Sequence, residues 1–304
     1  MIEISRPKLC PVGLLFFKGK FWVMKIDLHV HSTFSDGSMS PTELVQYAHR
    51  IGLSAIAITD HDTIDGTEEA RCVGNQLAVE VVPGLELSIK HGDCAVHLLG
   101  YLFQPSDKAM TLALKRLQGG RLERNKIILE NLNRFGVNIH LHELEKISGH
   151  GQSGRPHIAQ ILMKKGLVKN MDEAFEKYLA RGGLAYAPRY VLRADEAITM
   201  IKNAGGLAVL AHPQQIEKSG QDATAVISEL RAAGLDGIEV YYPTHSRQFK
   251  KKLLAMAKKL DLLITGGSDY HGSIRPGTTL AGGKNCSVPL ELLEEMKKRQ
   301  GSNC

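Results

Sequence analysis

The sequence predicts an α/β fold, a barrel of alternating strands and helices interrupted by a helical insertion. Three observations predict it. Short apolar runs recur along the chain, separated by segments with helical spacing and clear start and stop residues. Nearly every run ends in His, Asp or Glu, and in barrels of parallel strands the chemistry sits at the carboxyl ends of the strands. The stretch from Pro105 to Ala194 is too long for one crossover and is mostly helical in pattern.

The first strand, Ile26-Asp27-Leu28-His29-Val30-His31, carries His-x-His, and Ser35-Asp36-Gly37 adds an acid five residues later in a loop. Side chains at i and i+2 of a strand share a face, so His29 and His31 can grip one cation from one side. The other reading is two ordinary histidines at a strand end. Ser40-Pro41-Thr42-Glu43 is a capping box with proline at the first helical position, and Gly52 ends that helix. Ser54 to Thr59 is a strand followed by Asp60-His61-Asp62, and Val81 to Leu85 is one followed by Glu86. Cys94 to Phe103 is a further strand with His97 near its start, out of place for a parallel barrel.

Beyond the insertion the alternation resumes. Asp195 to Ala204 is a helix ended by Gly205, and Gly206 to Ala211 is a strand leading into His212-Pro213. Asp222 to Ala233 is a helix, Gly237 to Tyr241 a strand, and Ser246 to Leu260 a helix. Leu262 to Ser268 is a strand ending at Asp269-Tyr270-His271, and Pro289 to Arg299 is an amphipathic terminal helix.

Within the insertion, Lys108 to Phe135 reads as one long helix with a weak point at Gly119-Gly120 and a stop at Gly136. Glu143 to Ile147, Pro156 to Lys165 and Met171 to Leu179 read as shorter helices. Arg121, Arg124 and Asn125 fall on one helical face, expected to be solvated or to lie between domains. Ser153-Gly154-Arg155-Pro156-His157 places Arg155 and His157 beside the free N–H groups of a helix start, a ready anion site or simply a surface helix start.

Taken together, His29-Val30-His31 with Ser35-Asp36-Gly37, Thr59-Asp60-His61, Glu86, His97, Ala211-His212-Pro213 and Ser268-Asp269-Tyr270-His271 resemble the PHP (polymerase and histidinol phosphatase) superfamily of metal-dependent phosphoesterases. The resemblance covers roughly residues 24 to 290, and no ligand type is missing. It implies a distorted (β/α)₇ barrel holding up to three divalent metals. It assigns His29, His31, Glu86 and Asp269 to the first, Glu86, His97 and His212 to the second, and Asp36, His61 and His271 to the third. The implied division is an N-terminal extension (1–23), a first barrel part (24–105), a helical insertion acting as a substrate cap (106–194) and a second barrel part (195–304). Residues 1–23 either extend the chain upstream of Met24 or cover the bottom of the barrel.

Six imidazoles and three carboxylates suit Mn first, with Fe or Zn as alternatives. Three divalent ions against three carboxylates leave a cationic site suited to a phosphate dianion and to phosphoryl transfer. Metal-bound water has a pKa near ~7, so hydroxide is available to attack a phosphate ester. His29, His31, Glu86 and Asp269 are the expected catalytic residues. Asp60 is expected either to orient a histidine or to cap a loop.

Composition excludes several classes. The 304 residues are 43% hydrophobic and 23% charged, ordinary globular values for one large domain or a barrel with an insertion. The net charge of +6 is scattered, so no duplex-DNA patch is expected. The five cysteines are dispersed and odd in number, which fits free thiols in a cytoplasmic protein. The apolar stretch from Val12 to Met24 is broken by Lys18, Gly19 and Lys20 and lacks a signal cleavage pattern, so no membrane partner is expected. No obligate protein partner is evident.

The Gly154-Arg155-Pro156-His157 segment resembles one branch of the superfamily, in which it contacts a substrate phosphate. That branch includes phosphatases of nucleoside 3′,5′-bisphosphates and 5′→3′ exoribonucleases. The expected substrate is therefore a phosphorylated nucleotide or a short oligoribonucleotide, with Arg155 and His157 on the phosphate that is not cleaved. Histidinol-phosphate phosphatase is the alternative within the superfamily, but it leaves the insertion unexplained. A noncatalytic PHP module of a polymerase complex is the alternative of another class.

Overall fold

The computed structural model describes residues 14–17, 20–23, 25–149, 151–285 and 287–302. Of the expected N-terminal extension, only an antiparallel hairpin is described, β1 (Leu14–Phe17) with β2 (Lys20–Val23). The rest of residues 1–23 lies outside the described residues.

The barrel begins with β3 (Lys25–Val30), buried along nearly its whole length. Helix α1 (Pro41–Arg50) follows with the predicted capping box: the Ser40 hydroxyl accepts from Glu43 N, and the Glu43 carboxylate accepts from Ser40 N at 2.7 Å. Next come β4 (Leu53–Ile58), α2 (Thr67–Leu77), β5 (Glu80–His91) and β6 (Cys94–Tyr101). Helix α2 has no side-chain cap at Gly66, which explains why no start signal announced it.

Strand β3 pairs parallel with β4, and β4 pairs parallel with the first residues of β5. The rest of β5 pairs antiparallel with β6. The expectation of a wholly parallel sheet is therefore corrected here. Only Gly92 and Asp93 separate the two strands, with Gly92 at φ +56°, and so short a link can join only antiparallel strands. The reversal also explains His97. In a strand running backwards, the start lies at the end where its neighbours finish. Glu86 likewise sits inside the long β5 and not at a strand end.

The helical region comprises α3 (Lys108–Arg134), α4 (Leu141–Ser148), α5 (Arg155–Lys164) and α6 (Met171–Ala174), the last running into a π-helical turn over Phe175–Leu179. Helix α3 passes unbroken through Gly119-Gly120. A Cβ on Gly120 would meet Tyr190 Cβ at 3.2 Å, so this glycine permits the close approach of residue 190. Ile128, Leu132, Leu144, Ile158, Leu162 and Leu179 belong to an apolar cluster separate from those of the barrel.

The chain returns through β7 (Leu192–Arg193), α7 (Ala194–Asn203), β8 (Leu207–Leu210), α8 (Gln214–Lys218), α9 (Ala223–Ala232), β9 (Gly237–Tyr241), α10 (Arg247–Leu260) and β10 (Leu263–Gly266). Strand β6 pairs antiparallel with β8, and β8, β9 and β10 run parallel. The barrel wall among the described residues is thus β3-β4-β5-β6-β8-β9-β10. Its ends meet where Val30 bridges Tyr270, with His31 N donating to Tyr270 O and Asp269 N to His29 O at 2.8 Å. At the opposite end of β3, the short β11 (Val288–Pro289) pairs antiparallel, and α11 (Glu291–Gly301) ends the described chain. Among the described residues, no helix is long and apolar enough to cross a membrane.

Candidate metal centre and anion site

The closure of the barrel gathers all nine expected ligand residues at one end. His29, His31 and Asp269 form one group of facing donor atoms. Asp36, His61 and His271 form another with His31, and Glu86 and His97 a third with His61. Glu86 is the hub. Its Oε1 lies 2.9 Å from His97 Nδ1 and 3.1 Å from His212 Nε2, and its Oε2 lies 3.3 Å from His31 Nε2 and 3.0 Å from His61 Nδ1. Ser88 lies directly opposite His97 in the β5–β6 register, which puts Glu86 and His97 diagonal to each other on one face.

The cluster fits divalent metal ions. Among the described residues, His29 Nε2, His31 Nε2, His61 Nδ1 and Asp36 Oδ1 are buried without a hydrogen-bond partner, a costly arrangement unless a cation takes those lone pairs. Imidazole and carboxylate together match borderline to hard divalent ions. Backbone strain also collects here. His212 (φ +29°), Asp269 (φ +51°) and Asp62 (φ +56°) are non-glycine residues in the left-handed region, held by the surrounding structure.

Charge balance within the cluster is uneven. Burial alone would push the His31 ring down, but Asp269, Glu86 and Asp36 outweigh it and raise its pKa to about 10. His61 goes the other way, down to about 3, through burial reinforced by His31 and Arg121 against the pull of Glu86 and Asp36. Burial opposes ionisation of Glu86 and Asp269 as well, yet the surrounding histidines hold both well below the usual carboxylate range.

Several residues support the cluster. Glu239, fully buried on β9, lies 2.9 Å from His29 Nδ1 and accepts from His212 N at 2.7 Å. A carboxylate can only accept, so the His29 proton sits on Nδ1 and Nε2 is left to face Glu86 and Asp269. Sequence reasoning missed Glu239. The available signal was a lone acid between Ile238 and Val240 in an apolar strand. Tyr242 Oη donates to Asp269 Oδ2 at 2.7 Å, and Arg275 pairs with the same oxygen. Asp60 accepts from Ser32 N and from the Ser32 and Ser35 hydroxyls. It thereby fixes the loop that carries Asp36, and it reaches His31 only through Ser35, whose Oγ lies 3.4 Å from His31 Nδ1. His245, the other histidine near a strand end, is buried with Nδ1 donating to Val240 O.

Beside this centre lies a second charged cluster. Arg121, Arg124 and Asn125 are buried, so of the two expected settings, in solvent or between domains, the solvated one is corrected and the face lies against the barrel residue Asp62. Arg121 Nε and Arg189 Nη1 both donate to Asp62 Oδ2, at 2.7 and 2.9 Å. Arg124 bonds the side-chain oxygen of Asn125, whose amide is held by Ser153. Burial lowers the Arg124 pKa, and Arg121, Arg189 and Arg155 lower it further, with Asp62 the opposing carboxylate. Four guanidiniums therefore share one neighbourhood with one acid. Arg155 Nη1 donates to Leu179 O, and its guanidinium lies over the Phe175 ring. His157 is buried at the start of α5, where its Nδ1 accepts from Gly154 N. Arg189 could not have been found by local spacing, since it joins the set only through the fold.

Comparison with known proteins agrees with this geometry. The PHP domain family model matches residues 27–233. A 5′-3′ exoribonuclease from Haemophilus influenzae is 34% identical over 81% of this chain and 90% of its own length. A 3′,5′-nucleoside bisphosphate phosphatase from Chromobacterium violaceum is 32% identical over 81% of this chain and 87% of its own. A solved structure assigned as a metal-dependent phosphoesterase from Bifidobacterium adolescentis superposes with a TM-score of 0.82 at 30% identity, covering 91% of this chain and 96% of that one.

Proposed function

The chain belongs to the PHP domain family of phosphoesterases, and from that premise we propose that it cleaves the ester on the 3′ side of a 5′-phosphorylated nucleotide. The substrates are nucleoside 3′,5′-bisphosphates and the 5′ end of short RNA. The observation that carries this reading is the adjacency of two unlike sites, an imidazole–carboxylate cluster and a buried guanidinium cluster, joined by the consecutive residues His61 and Asp62.

In this reading, His29, His31, Glu86 and Asp269 hold one divalent ion, Glu86, His97 and His212 a second, and Asp36, His61 and His271 a third. Three Mn ions suit the donor set, and bound there they would supply Lewis acidity and an activated water. Asp60 keeps the Asp36 loop in place, and Glu239 keeps His29 in the tautomer that presents Nε2. Arg121, Arg124, Arg155 and Arg189, with His157, hold the 5′-phosphate, which leaves the 3′ ester against the cluster. Water adds to phosphorus, the P–O3′ bond breaks and the 3′ oxygen leaves as a hydroxyl. A bisphosphate gives a 5′-nucleotide and inorganic phosphate. An RNA gives a 5′-nucleotide and a shorter RNA that again begins with a 5′-phosphate. Residues 106–194 act as the substrate cap between barrel parts 24–105 and 195–304, and the dispersed thiols fit the cytoplasm.

The test compares adenosine 3′,5′-bisphosphate with adenosine 3′-monophosphate in added Mn. The bisphosphate should be favoured in kcat/KM by at least about tenfold, the scale of a lost charge-assisted contact. Equal rates would refute the anchoring role of the guanidinium cluster.

A further inference from the structure

A groove of about 1070 Å³ lies between the barrel and the helical region, bordered by Gly37, the residue after Asp36. Its barrel wall is the loop that carries Asp36, including Phe34, with Ser273 N donating to Ser38 Oγ of that loop at 2.9 Å, and its other wall is α4 and α5. His157 lines it as well, so the groove opens beside the proposed 5′-phosphate site. Gln152 N donates to Phe34 O at 2.8 Å, which ties the two walls together. The space lies at the top of the ~300–1,000 Å³ range of small-ligand sites, so it has room for more than a mononucleotide.

The lining has the chemistry of a single-stranded nucleic-acid track. Lys146 and Lys164 are exposed on it, and neither has an ion pair among the described residues. Lys165 and Glu143 pair with each other at 2.9 Å and cancel. Glu69 is the remaining acid of the lining, and it accepts from the Thr42 N–H and hydroxyl. Phe34 is half-buried, a flat apolar surface on the loop that carries Asp36. A basic groove with an aromatic platform is how proteins hold single strands without reading sequence.

We propose that this groove binds the RNA chain on the 3′ side of the scissile linkage, with Phe34 stacking a base and Lys146 and Lys164 on successive phosphates. The inference rests on the reading of the site given above, and it makes oligoribonucleotide a substrate in its own right.

The experiment uses the Mn-loaded full chain and two substrates, adenosine 3′,5′-bisphosphate and a 5′-phosphorylated single-stranded hexaribonucleotide. The double variant Lys146→Ala/Lys164→Ala should lose about tenfold in kcat/KM on the hexamer and stay within about twofold on the bisphosphate. On the hexamer, the slope of log kcat/KM against log salt should flatten by about 1.4, since each single-strand phosphate contact contributes ~0.7. Phe34→Leu, which keeps the packing but loses the stacking, should show the same substrate split. An unchanged hexamer rate, or an equal loss on both substrates, overturns the groove assignment while the bisphosphate activity leaves the site reading intact. Wild-type protein that cleaves neither substrate overturns the site reading, and the inference with it.

Discussion

Arg121 and Asp62 form a buried ion pair of 2.7 Å that joins helix α3 to the residue after His61. Arg189 reaches the same Asp62 oxygen, and Arg124 and Arg155 lie close by without a carboxylate of their own. Removing one partner of a buried pair leaves an uncompensated charge, at a cost of about 3–5 kcal/mol. Asp62→Ala should therefore lower the denaturant midpoint markedly. Because the four guanidiniums would then lack any counter-charge, inorganic phosphate should stabilise the variant more than it stabilises the wild type. Thermal melts with and without phosphate check both effects, and an equal phosphate shift in the two proteins would contradict the charge argument.

Arg155 is the proposed anchoring residue that the sequence itself points to. A charge-assisted contact of about 1.5–3 kcal/mol corresponds to about one to two orders of magnitude. Arg155→Ala should lose that much in kcat/KM on a 3′,5′-bisphosphate and far less on an aryl phosphate, with metal content unchanged. Equal losses on the two substrates would place Arg155 at the cleaved phosphate instead.

His212 enters from beyond the helical region and meets Glu86 at 3.1 Å. His212→Ala should lower turnover at limiting Mn by about 10–100-fold, the scale on which damaged metal sites fail. Turnover close to wild type under those conditions would remove His212 from the proposed ligand set.

Glu239 touches no reacting group, so its effect must pass through His29 and His212. Glu239→Gln should weaken Mn affinity about 10–100-fold while kcat at saturating Mn stays near wild type. Calorimetric titration of Mn separates this from a general folding defect, which would also lower the melting temperature of the metal-free protein.

Proton release gives an independent check on the centre. His31 is raised to about 10 by Asp269, Glu86 and Asp36, so at pH 7 the metal-free ring carries a proton. A metal binds only the neutral ring. Mn loading should therefore release protons, and affinity should rise with pH up to about 10. Calorimetry in two buffers of different ionisation heat measures the release, and identical heats in both would exclude it.

The parts of the molecule that were legible in the sequence are those set by local rules. The capping box at Ser40 and the helix stops at Gly52, Gly136 and Gly205 depend on neighbouring residues, and the structure shows them where the pattern put them. His29 and His31 were legible because strand alternation is local. The reversal of β6 was not, because pairing direction depends on a partner strand; only the misplaced His97 hinted at it. The burial of Arg121 and Arg124 depends on Asp62, 59 positions from Arg121, and no helical periodicity encodes that distance. Glu239 and His29 are 210 positions apart.

The buried carboxylate of Asp27 accepts from Ser268 and from Ala281 N, 241 and 254 positions along the chain. The strand that presents His29 and His31 pairs early with β4, but its buried acid gains these partners only when the last barrel strand and the loop beyond it arrive. During translation at ~5–20 residues per second, the histidine pair leaves the ribosome roughly 10–50 s before Asp269 is made. For that interval the nascent protein exposes two imidazoles without the carboxylate that completes their group.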